Sequence, residues 1–336
     1  MSAANGTLFS KVSISLTKKC NIACEHCMPE SGPEQRRLLE VARLLGWIEK
    51  LADFGTTYLA FTGGEPFIVP DLLSAGSDLA AQRGMTVSVM TNAFWAKTVE
   101  LGEARLRQFP ALRRIGISTD RFHWKHVPIE YVRNAIDACR SQGRTVMVRA
   151  AYTASASEEV NEVLEQLETH RSRLDAFEAQ PVIRIGRARS TLKERQFFDM
   201  GRDAFGPCAV ADTPTIDDQG NIFACCGPSM YMGRSSRLCL GNIDLEDVPT
   251  IASRAESNLA LQMVRTLGPG RLLGELEARV PGQSPGGSNH MCDLCQRCFA
   301  PSVPASSFDE LDRDADLWTE VAAARLVRFG DISMLK

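Results

Sequence analysis

The sequence lacks the features that mark a membrane or secreted protein. No apolar run approaches the ~18 residues that a membrane helix needs. The first residues, Met-Ser-Ala-Ala-Asn-Gly, do not show the basic and apolar pattern of a signal peptide. These absences predict a cytoplasmic protein with no membrane partner.

A strong charge of either sign is also absent. The chain has 38 Lys and Arg against 41 Asp and Glu, a net charge of −3, and its basic residues form no stripe. Nucleic-acid-binding proteins usually carry a basic patch, so we expect no nucleic-acid partner. With 336 residues, the chain has room for one large domain and a small one.

Cysteine, by contrast, is abundant. Eleven cysteines is a high number for a cytoplasmic protein, where disulfides are disfavoured. Ten of them lie within residues 20–27 and 208–298, and such clustering indicates metal ligands. The exception is Cys139, which shares a predicted helix face with Val132 and Ile136 and is predicted to be a small core residue.

The first half of the chain alternates predicted strands and helices. The six predicted strands are residues 8–16, 58–61, 85–90, 114–118, 145–151 and 177–185. The predicted helices between them are residues 34–54, 71–83, 99–108, 130–142 and 157–170. The last of these helices has Ser155 and Glu158 at the spacing of a capping box.

Six such repeats imply a parallel sheet with right-handed crossovers. A closed eight-stranded barrel would need two more units, which the cysteine-rich half does not supply. The predicted fold class is therefore α/β: an open, partial (βα)6 TIM-like barrel followed by a small cysteine-rich domain.

Three cysteines follow the first predicted strand within eight residues. Cys20, Cys24 and Cys27 can face one point, and soft sulfur ligands select zinc, copper(I) or iron–sulfur clusters. A tetrahedral zinc site would want a fourth local ligand, and the nearby candidate, His26, lies directly beside Cys27. A 4Fe–4S cluster held by three cysteines fits this spacing better, because it leaves one iron open to a small molecule.

The spacing Cys-x3-Cys-x2-Cys, followed after the second strand by Thr62-Gly63-Gly64-Glu65-Pro66, resembles the radical S-adenosylmethionine (SAM) superfamily. The resemblance covers most of the chain and implies the partial-barrel fold. It also implies that the open iron binds the amino and carboxylate groups of SAM. An electron from a flavodoxin- or ferredoxin-type partner then cleaves SAM to methionine and a 5′-deoxyadenosyl radical.

The resemblance and the strand-end rule together suggest a SAM site. In barrels of this kind the chemistry collects at the carboxyl ends of the strands. By resemblance, the Gly-Gly-Glu-Pro turn binds the SAM amino group, with Glu65 helping to shape the turn. The predicted cofactor-binding residues are Gly63, Gly64, Glu65, Pro66, Asn92, Ser118, Asp120, Arg149 and Ile185.

Several of these residues have an alternative interpretation. Arg149 suits the SAM carboxylate, since a guanidinium binds carboxylates in bidentate fashion, but it is also typical of an exposed strand end. Ser118 and Asp120 are placed to meet ribose hydroxyls or the amine, and each is equally a cap for the next loop, as is Asn92. Two histidines just beyond the fourth strand, His123 and His126, either orient substrate or are solvated.

The second cysteine group resembles the SPASM and twitch extensions of radical SAM enzymes, which hold auxiliary iron–sulfur clusters. Cys208, Gly220 and Cys225 have the spacing Cys-x(9–15)-Gly-x4-Cys, and residues 240–243 also resemble those extensions. The ligand count favours one auxiliary 4Fe–4S cluster, with a zinc site of the same residues as the alternative. Its predicted ligands are Cys208, Cys225 and two of Cys292, Cys295 and Cys298, which follow a predicted flexible loop at residues 281–289.

Two cysteines are left over in this half. Cys226 and Cys239 are either ligands of a second cluster or small buried hydrophobes. A sharper hypothesis makes Cys226 a hydrogen-atom donor to a substrate radical, held beside the auxiliary cluster.

The predicted domains are residues 1–200 (partial barrel), 201–305 (SPASM/twitch-like) and 306–336 (a helical tail that packs on the barrel). Within them we expect a hairpin at residues 215–223, one helix at 250–267, and a tail helix with Trp318, Val321 and Leu326 on one side.

The leading functional hypothesis is a radical SAM enzyme that abstracts a hydrogen atom from an unactivated carbon. Its expected substrate is a ribosomally made peptide, modified by crosslinking, epimerisation or a similar change. The alternative is a dehydrogenase or epimerase of a sugar or polyol, and a third class is a non-catalytic iron–sulfur or zinc protein. Because Cys20 comes so early, we expect leader recognition from a separate protein or from the C-terminal half.

Overall fold

The computed structural model describes residues 8–199, 206–280 and 290–330, in two compact units. The sheet unit comprises residues 14–52 and 57–198, and the C-terminal unit comprises the other described residues. The predicted loop at 281–289 and the predicted boundary at 200 and 201 lie outside the described residues, and the predicted domain limits stay predictions. Among the described helices, none is long and apolar enough to cross a membrane.

The sheet unit contains six strands in the order β6-β5-β4-β3-β2-β1. The strands are β1 (Lys11–Ser15), β2 (Tyr58–Thr62), β3 (Thr86–Thr91), β4 (Arg114–Ser118), β5 (Thr145–Tyr152) and β6 (Ala176–Pro181). The helices are α1 (Val41–Phe54), α2 (Pro70–Gln82), α3 (Val99–Arg107), α4 (Arg121–Trp124), α5 (Ile129–Ser141), α6 (Ala156–Gln166) and α7 (Ala188–Thr191). Residues 11–13 of β1 and 53–54 of α1 are grouped with the C-terminal unit.

The parallel α/β arrangement is confirmed. Strands β2 to β6 pair in parallel, each with the next along the chain. Alternate residues of β2, such as Leu59 and Phe61, are buried, and α1 and α2 pack over them. Gly76 of α2 makes this packing possible, because a Cβ there would lie 2.9 Å from both Leu44 and Phe61. Cys139 is fully buried in α5, as predicted for a core residue.

Two predicted boundaries and one predicted helix cap in the sheet unit are wrong. The helix predicted at 34–54 begins only at Val41, because Leu38 instead forms a β-bridge with Thr17. The predicted last strand ends at Pro181, which cannot donate a ladder hydrogen bond. In the described chain Ser155 makes no side-chain cap bond to α6, so the capping box does not form.

The C-terminal unit is mostly helical. Its strands are β7 (Thr215–Ile216), β8 (Asn221–Phe223) and β9 (Cys239–Asn242). Its helices are α8 (Val248–Glu256), α9 (Leu259–Thr266), α10 (Pro269–Arg279), α11 (Met291–Cys298), α12 (Ala305–Asp312) and α13 (Ala315–Phe329). The predicted hairpin is confirmed, with β7 and β8 antiparallel.

Two predictions for this unit are wrong in detail. The single helix at 250–267 is two helices, because the Asn258 side chain accepts a hydrogen bond from Leu261 N and so begins a new helix. The buried face of α13 includes Val321 as predicted, but Leu326 is exposed and Arg325 is buried. Arg325 can be buried because it pairs with Glu256.

Candidate active site

The loop between β1 and α1 carries the first three cysteines at the carboxyl end of the sheet. The side chains of Cys20 and Cys24 are buried in an apolar cluster that includes Phe122, and Cys27 packs against this cluster. Burial, with smaller contributions from Glu65 and the other two sulfurs, raises the pKa of the Cys20 thiol to about 12. Burial also raises the pKa of the Cys27 thiol, so the Cys20 and Cys27 thiols stay protonated unless a cation replaces the protons, which is what metal binding does.

This donor set fits an iron–sulfur cluster with one open iron. It offers three soft ligands on one loop in an apolar surrounding. His26, the candidate fourth ligand of a zinc site, stacks on Phe122, and its Nε2 lies 3.7 Å from Asp120 Oδ2. One of its two ring nitrogens is thus placed against a carboxylate.

The glycine turn lies directly on the start of the cysteine loop. Gly63 has a φ of +129°, and a Cβ there would lie 2.4 Å from Thr17 O. A Cβ on Gly64 would lie 2.0 Å from Lys19 O. The N–H groups of Gly64 and Glu65 donate to Thr17 O and Lys19 O, at 2.6 and 3.0 Å. An ammonium group needs acceptors, so the turn would hold the SAM amine through its carbonyl oxygens.

Glu65 ties the turn to the end of β3. Its Oε1 accepts hydrogen bonds from Phe67 N at 3.1 Å and Thr91 Oγ1 at 2.8 Å, and its Oε2 accepts from Asn92 N at 2.8 Å. Complete burial raises the pKa of Glu65 to about 7, and the same three hydrogen bonds oppose that rise. Pro66 begins the short 3₁₀ turn Pro66–Ile68 that Glu65 caps.

Asn92 reaches from β3 to the cysteine loop. Its Nδ2 lies 3.0 Å from Asn21 Oδ1 and 3.8 Å from Cys20 Sγ. Thr91 was not among the predicted site residues. Its Oγ1 donates to Glu65 and accepts from Trp95 Nε1 at 3.0 Å. Its position beside Asn92 at the carboxyl end of β3 was the available signal.

The structure gives Asp120 the role of a cap. The carboxylate is buried, and it begins α4 by accepting from Phe122 N and His123 N at 3.0 and 3.2 Å. It also accepts from Ala151 N at 3.1 Å and lies 2.9 Å from His123 Nδ1. Burial lowers the pKa of His123, but the Asp120 carboxylate outweighs it and holds that pKa well above its usual value.

Asp120 forms a compact group with His26 and His123, whose ligand atoms lie within 4.8 Å of one another. This spacing alone would suit a metal ion. Both oxygens of Asp120 already accept backbone N–H bonds, however, so the group is explained as a hydrogen-bonded network.

The remaining predicted SAM residues lie near the ends of β4, β5 and β6. Ser118 and Arg149 are direct partners in the register of β4 and β5. Arg149 donates from Nε and Nη2 to Glu178 Oε2, at 3.0 and 2.6 Å, so a SAM carboxylate would have to replace Glu178. Ile185 is buried in the segment that follows β6.

A second group of thiols surrounds a cavity in the C-terminal unit. Its lining is otherwise mainly apolar and includes Cys208, Cys225, Cys292 and Cys295. Burial raises the pKa of Cys292 and Cys295 well above the usual thiol value, and the neighbouring sulfurs raise it further.

The other cysteines of this half do not line that cavity. Cys298 is buried on α11 with its Sγ 3.5 Å from Pro269 O. Cys226 follows Cys225 in the chain but is not among the described residues that line the cavity. Cys239 lies on β9. The structure therefore brings together four of the five candidate ligands of the predicted auxiliary cluster.

Comparison with known proteins gives a consistent result. Residues 14–167 match the family described as the radical SAM superfamily. The chain is 22% identical to the "Putative peptide biosynthesis protein YydG" of Bacillus subtilis (strain 168) over 265 residues, which cover 76% of this chain and 81% of that protein. It is 33% identical to GTP 3′,8-cyclase of Listeria welshimeri over 125 residues, which cover 35% of each chain.

Solved structures share the fold. SuiB of Streptococcus suis, bound to S-adenosylmethionine, is similar with a TM-score of 0.52 and 15% identity, over 71% of this chain and 64% of SuiB. The chain thus spans less than two thirds of SuiB. The structure of anSMEcpe with bound AdoMet gives a TM-score of 0.57 at 12% identity, over 94% of this chain and 97% of that one.

The Glu65 contacts lead to a stability prediction. Replacing Glu65 with Ala leaves three buried donors without an acceptor, so we expect the free energy of unfolding to fall by about 2–3 kcal/mol. Glu65→Gln keeps one acceptor oxygen and should lose less. Chemical unfolding of the metal-free, reduced protein measures both, with the exposed Glu130→Ala as control. A loss for Glu65→Ala no larger than that of the control would contradict this role.

Proposed function

Because the chain belongs to the radical SAM superfamily through residues 14–167, we propose that it modifies a ribosomally made peptide by radical chemistry. The observation that carries the peptide substrate is the similarity to YydG, a protein described as acting in peptide biosynthesis, over 76% of this chain. That match is longer than the family match and so extends past residue 167. SuiB, which shares the fold, has been solved with its precursor peptide SuiA.

The chain's own residues would hold the reactive group. Enzymes of this superfamily use a 4Fe–4S cluster and SAM, which together supply a 5′-deoxyadenosyl radical when bound. Cys20, Cys24 and Cys27 would ligate three irons, and the carbonyls of the Gly63–Gly64 turn would accept hydrogen bonds from the SAM amine. Arg149, on leaving Glu178, would pair with the carboxylate.

Asn92, Ser118 and Ile185 complete this proposed site. The polar side chains of Asn92 and Ser118 lie at strand ends that face the same edge of the sheet, and Ile185 offers an apolar surface. The apolar cluster around the cysteines would keep water from the radical. The proposed reaction is abstraction of a hydrogen atom from an unactivated carbon of the peptide.

A one-electron donor of the flavodoxin or ferredoxin type is part of the proposal, as is a separate leader-binding protein. We place the reaction in the cytoplasm, where thiols stay reduced, because seven of the eleven cysteines are proposed cluster ligands.

The first test is the reaction itself. Anaerobically reconstituted protein, mixed with reductant and SAM, should release 5′-deoxyadenosine, and a peptide substrate should increase the yield. Candidate substrates are short peptides encoded beside the gene, and mass spectrometry should show loss of two hydrogens for a crosslink or no change in mass for an epimer. The Cys24→Ala variant is the control. Turnover with a sugar or polyol, but with none of the peptides, would contradict the peptide proposal.

The second thiol group supports an auxiliary 4Fe–4S cluster. Cys208, Cys225, Cys292 and Cys295 line one cavity, and four thiolates are the usual ligand set of such a cluster. We therefore choose Cys292 and Cys295, rather than Cys298, to complete the set.

Metal analysis tests this ligand set. We expect about eight irons per chain in the wild type and about four when Cys208, Cys225, Cys292 or Cys295 becomes Ala. Cys298→Ala and the core variant Cys139→Ala should keep the wild-type iron content. Zinc in place of the second set of irons, or equal loss in Cys298→Ala, would refute the assignment.

Cys226 remains the proposed hydrogen-atom donor. Its neighbour Cys225 lines the auxiliary cavity, which places the Cys226 backbone beside the proposed cluster. In the proposed step the S–H bond breaks and a C–H bond forms at the substrate radical. One electron from the external donor and one proton from solvent then restore the thiol. The product would be an epimerised peptide.

Solvent deuterium tests the donor. In D₂O the thiol exchanges, so the epimer should gain one deuterium from the wild type. Cys226→Ala should still form 5′-deoxyadenosine but no deuterated epimer, while Cys239→Ala should behave as the wild type. A deuterated epimer from Cys226→Ala would exclude this role.

A further inference from the structure

Arg187 contacts the cysteine loop at three backbone carbonyls. Its Nη1 donates to Cys24 O and its Nη2 to Ser31 O, both at 2.7 Å. Its backbone N–H donates to Cys27 O at 3.0 Å. Because the two nitrogens belong to one rigid, planar fork, the side chain fixes the distance between positions 24 and 31.

The residues around Arg187 hold the same loop. Gly186 has a φ of +58°, and a Cβ there would lie 2.1 Å from Met28 O, so only glycine permits this approach. Thr191 Oγ1 donates to Glu25 O at 2.7 Å. The segment after β6 therefore binds the loop along much of its length.

The cysteine loop has little regular structure of its own. Its two ends pair through bonds from Cys20 N to Gly32 O and from Gly32 N to Lys18 O. Between these ends the backbone bonds are short-range, from Cys27 N to Cys24 O and from Glu30 N to Cys27 O, and Glu30 adopts a φ of +53°. A loop of this kind loses much conformational entropy when it is ordered. For three thiols to ligate one cluster, the loop must either be ordered beforehand or become ordered on binding at that entropic cost.

We propose that Arg187 is a positioning residue that holds the cysteine loop in its cluster-binding conformation before iron arrives. The proposal rests on the cluster site at Cys20, Cys24 and Cys27, and it is independent of the substrate. Removing the fork should loosen the loop in the metal-free protein and weaken cluster retention in the reconstituted protein.

Charge and hydrogen-bond geometry can be separated by the choice of variant. Arg187→Lys keeps the positive charge but cannot span both carbonyls, and Arg187→Met removes charge and donors. Arg189 is exposed on α7, two residues away, so Arg189→Lys and Arg189→Met are matched controls. Thr191→Val removes the Oγ1 bonds to Glu25 O and Arg187 O but leaves the Arg187 fork in place, and it is the milder loop variant.

Hydrogen exchange of the metal-free, reduced full chain is the first measurement. Amides of residues 24–32 should exchange at least about tenfold faster in both Arg187 variants, because Arg187→Met loses both part-buried fork bonds and Arg187→Lys loses at least one. Thr191→Val should show a smaller increase in the same peptide. Exchange in β4 should match the wild type, and the Arg189 controls should change nothing. If Arg187→Met also exchanges faster in β4, its effect is not confined to the loop. The exchange of residues 24–32 in Arg187→Lys and Thr191→Val then tests the proposal.

Cluster retention is the second measurement. After anaerobic reconstitution, iron release to a chelator should be faster in both Arg187 variants, and the reduced cluster should show an altered EPR signal with SAM. Wild-type exchange in residues 24–32 of Arg187→Lys would overturn the proposal, because charge alone would then suffice. Since neither readout uses a peptide, failure of the peptide proposal would leave this result intact.

Discussion

The close backbone approach between the glycine turn and the start of the cysteine loop is the contact on which the candidate site depends. Gly64 lies so near Lys19 O that any side chain would overlap it, and the two segments exchange backbone hydrogen bonds there. The loop is thus held at its beginning by the end of β2 and further along by the segment after β6. Two glycines, Gly64 and Gly186, make both approaches possible.

Burial sets the electrostatics of this site. The Cys20 and Cys27 thiols lie in or against an apolar cluster where their ionised forms are unfavourable, and the Cys20 pKa of about 12 expresses that cost. A cationic cluster removes the cost by replacing protons, so its binding is coupled to deprotonation. The polar groups around the thiols are satisfied separately: Glu65 by three donors, and Asp120 by backbone N–H groups and His123.

Local patterns predicted what depends on local sequence. The alternation of strands and helices along the first half of the chain predicted the parallel sheet. The cysteine spacing of residues 20–27 predicted the first ligand group. The start of α1 and the contacts of Arg149 could not be predicted in this way, because each depends on a partner distant in sequence, Thr17 and Glu178 respectively. The role of Arg187 could not be predicted from local sequence either, since the carbonyls it binds lie more than 150 positions away.

The second thiol group shows what one further local fact would have added. Cys292, Cys295 and Cys298 all lie on α11, where successive residues turn by about 100°. Steps of three residues therefore rotate the side chain by about 60° each, which places Cys298 about 120° from Cys292. The first two cysteines share a face that meets Cys208 and Cys225, and the third turns toward Pro269. Predicting a helix over these residues, rather than only a loop before them, would have selected the same pair.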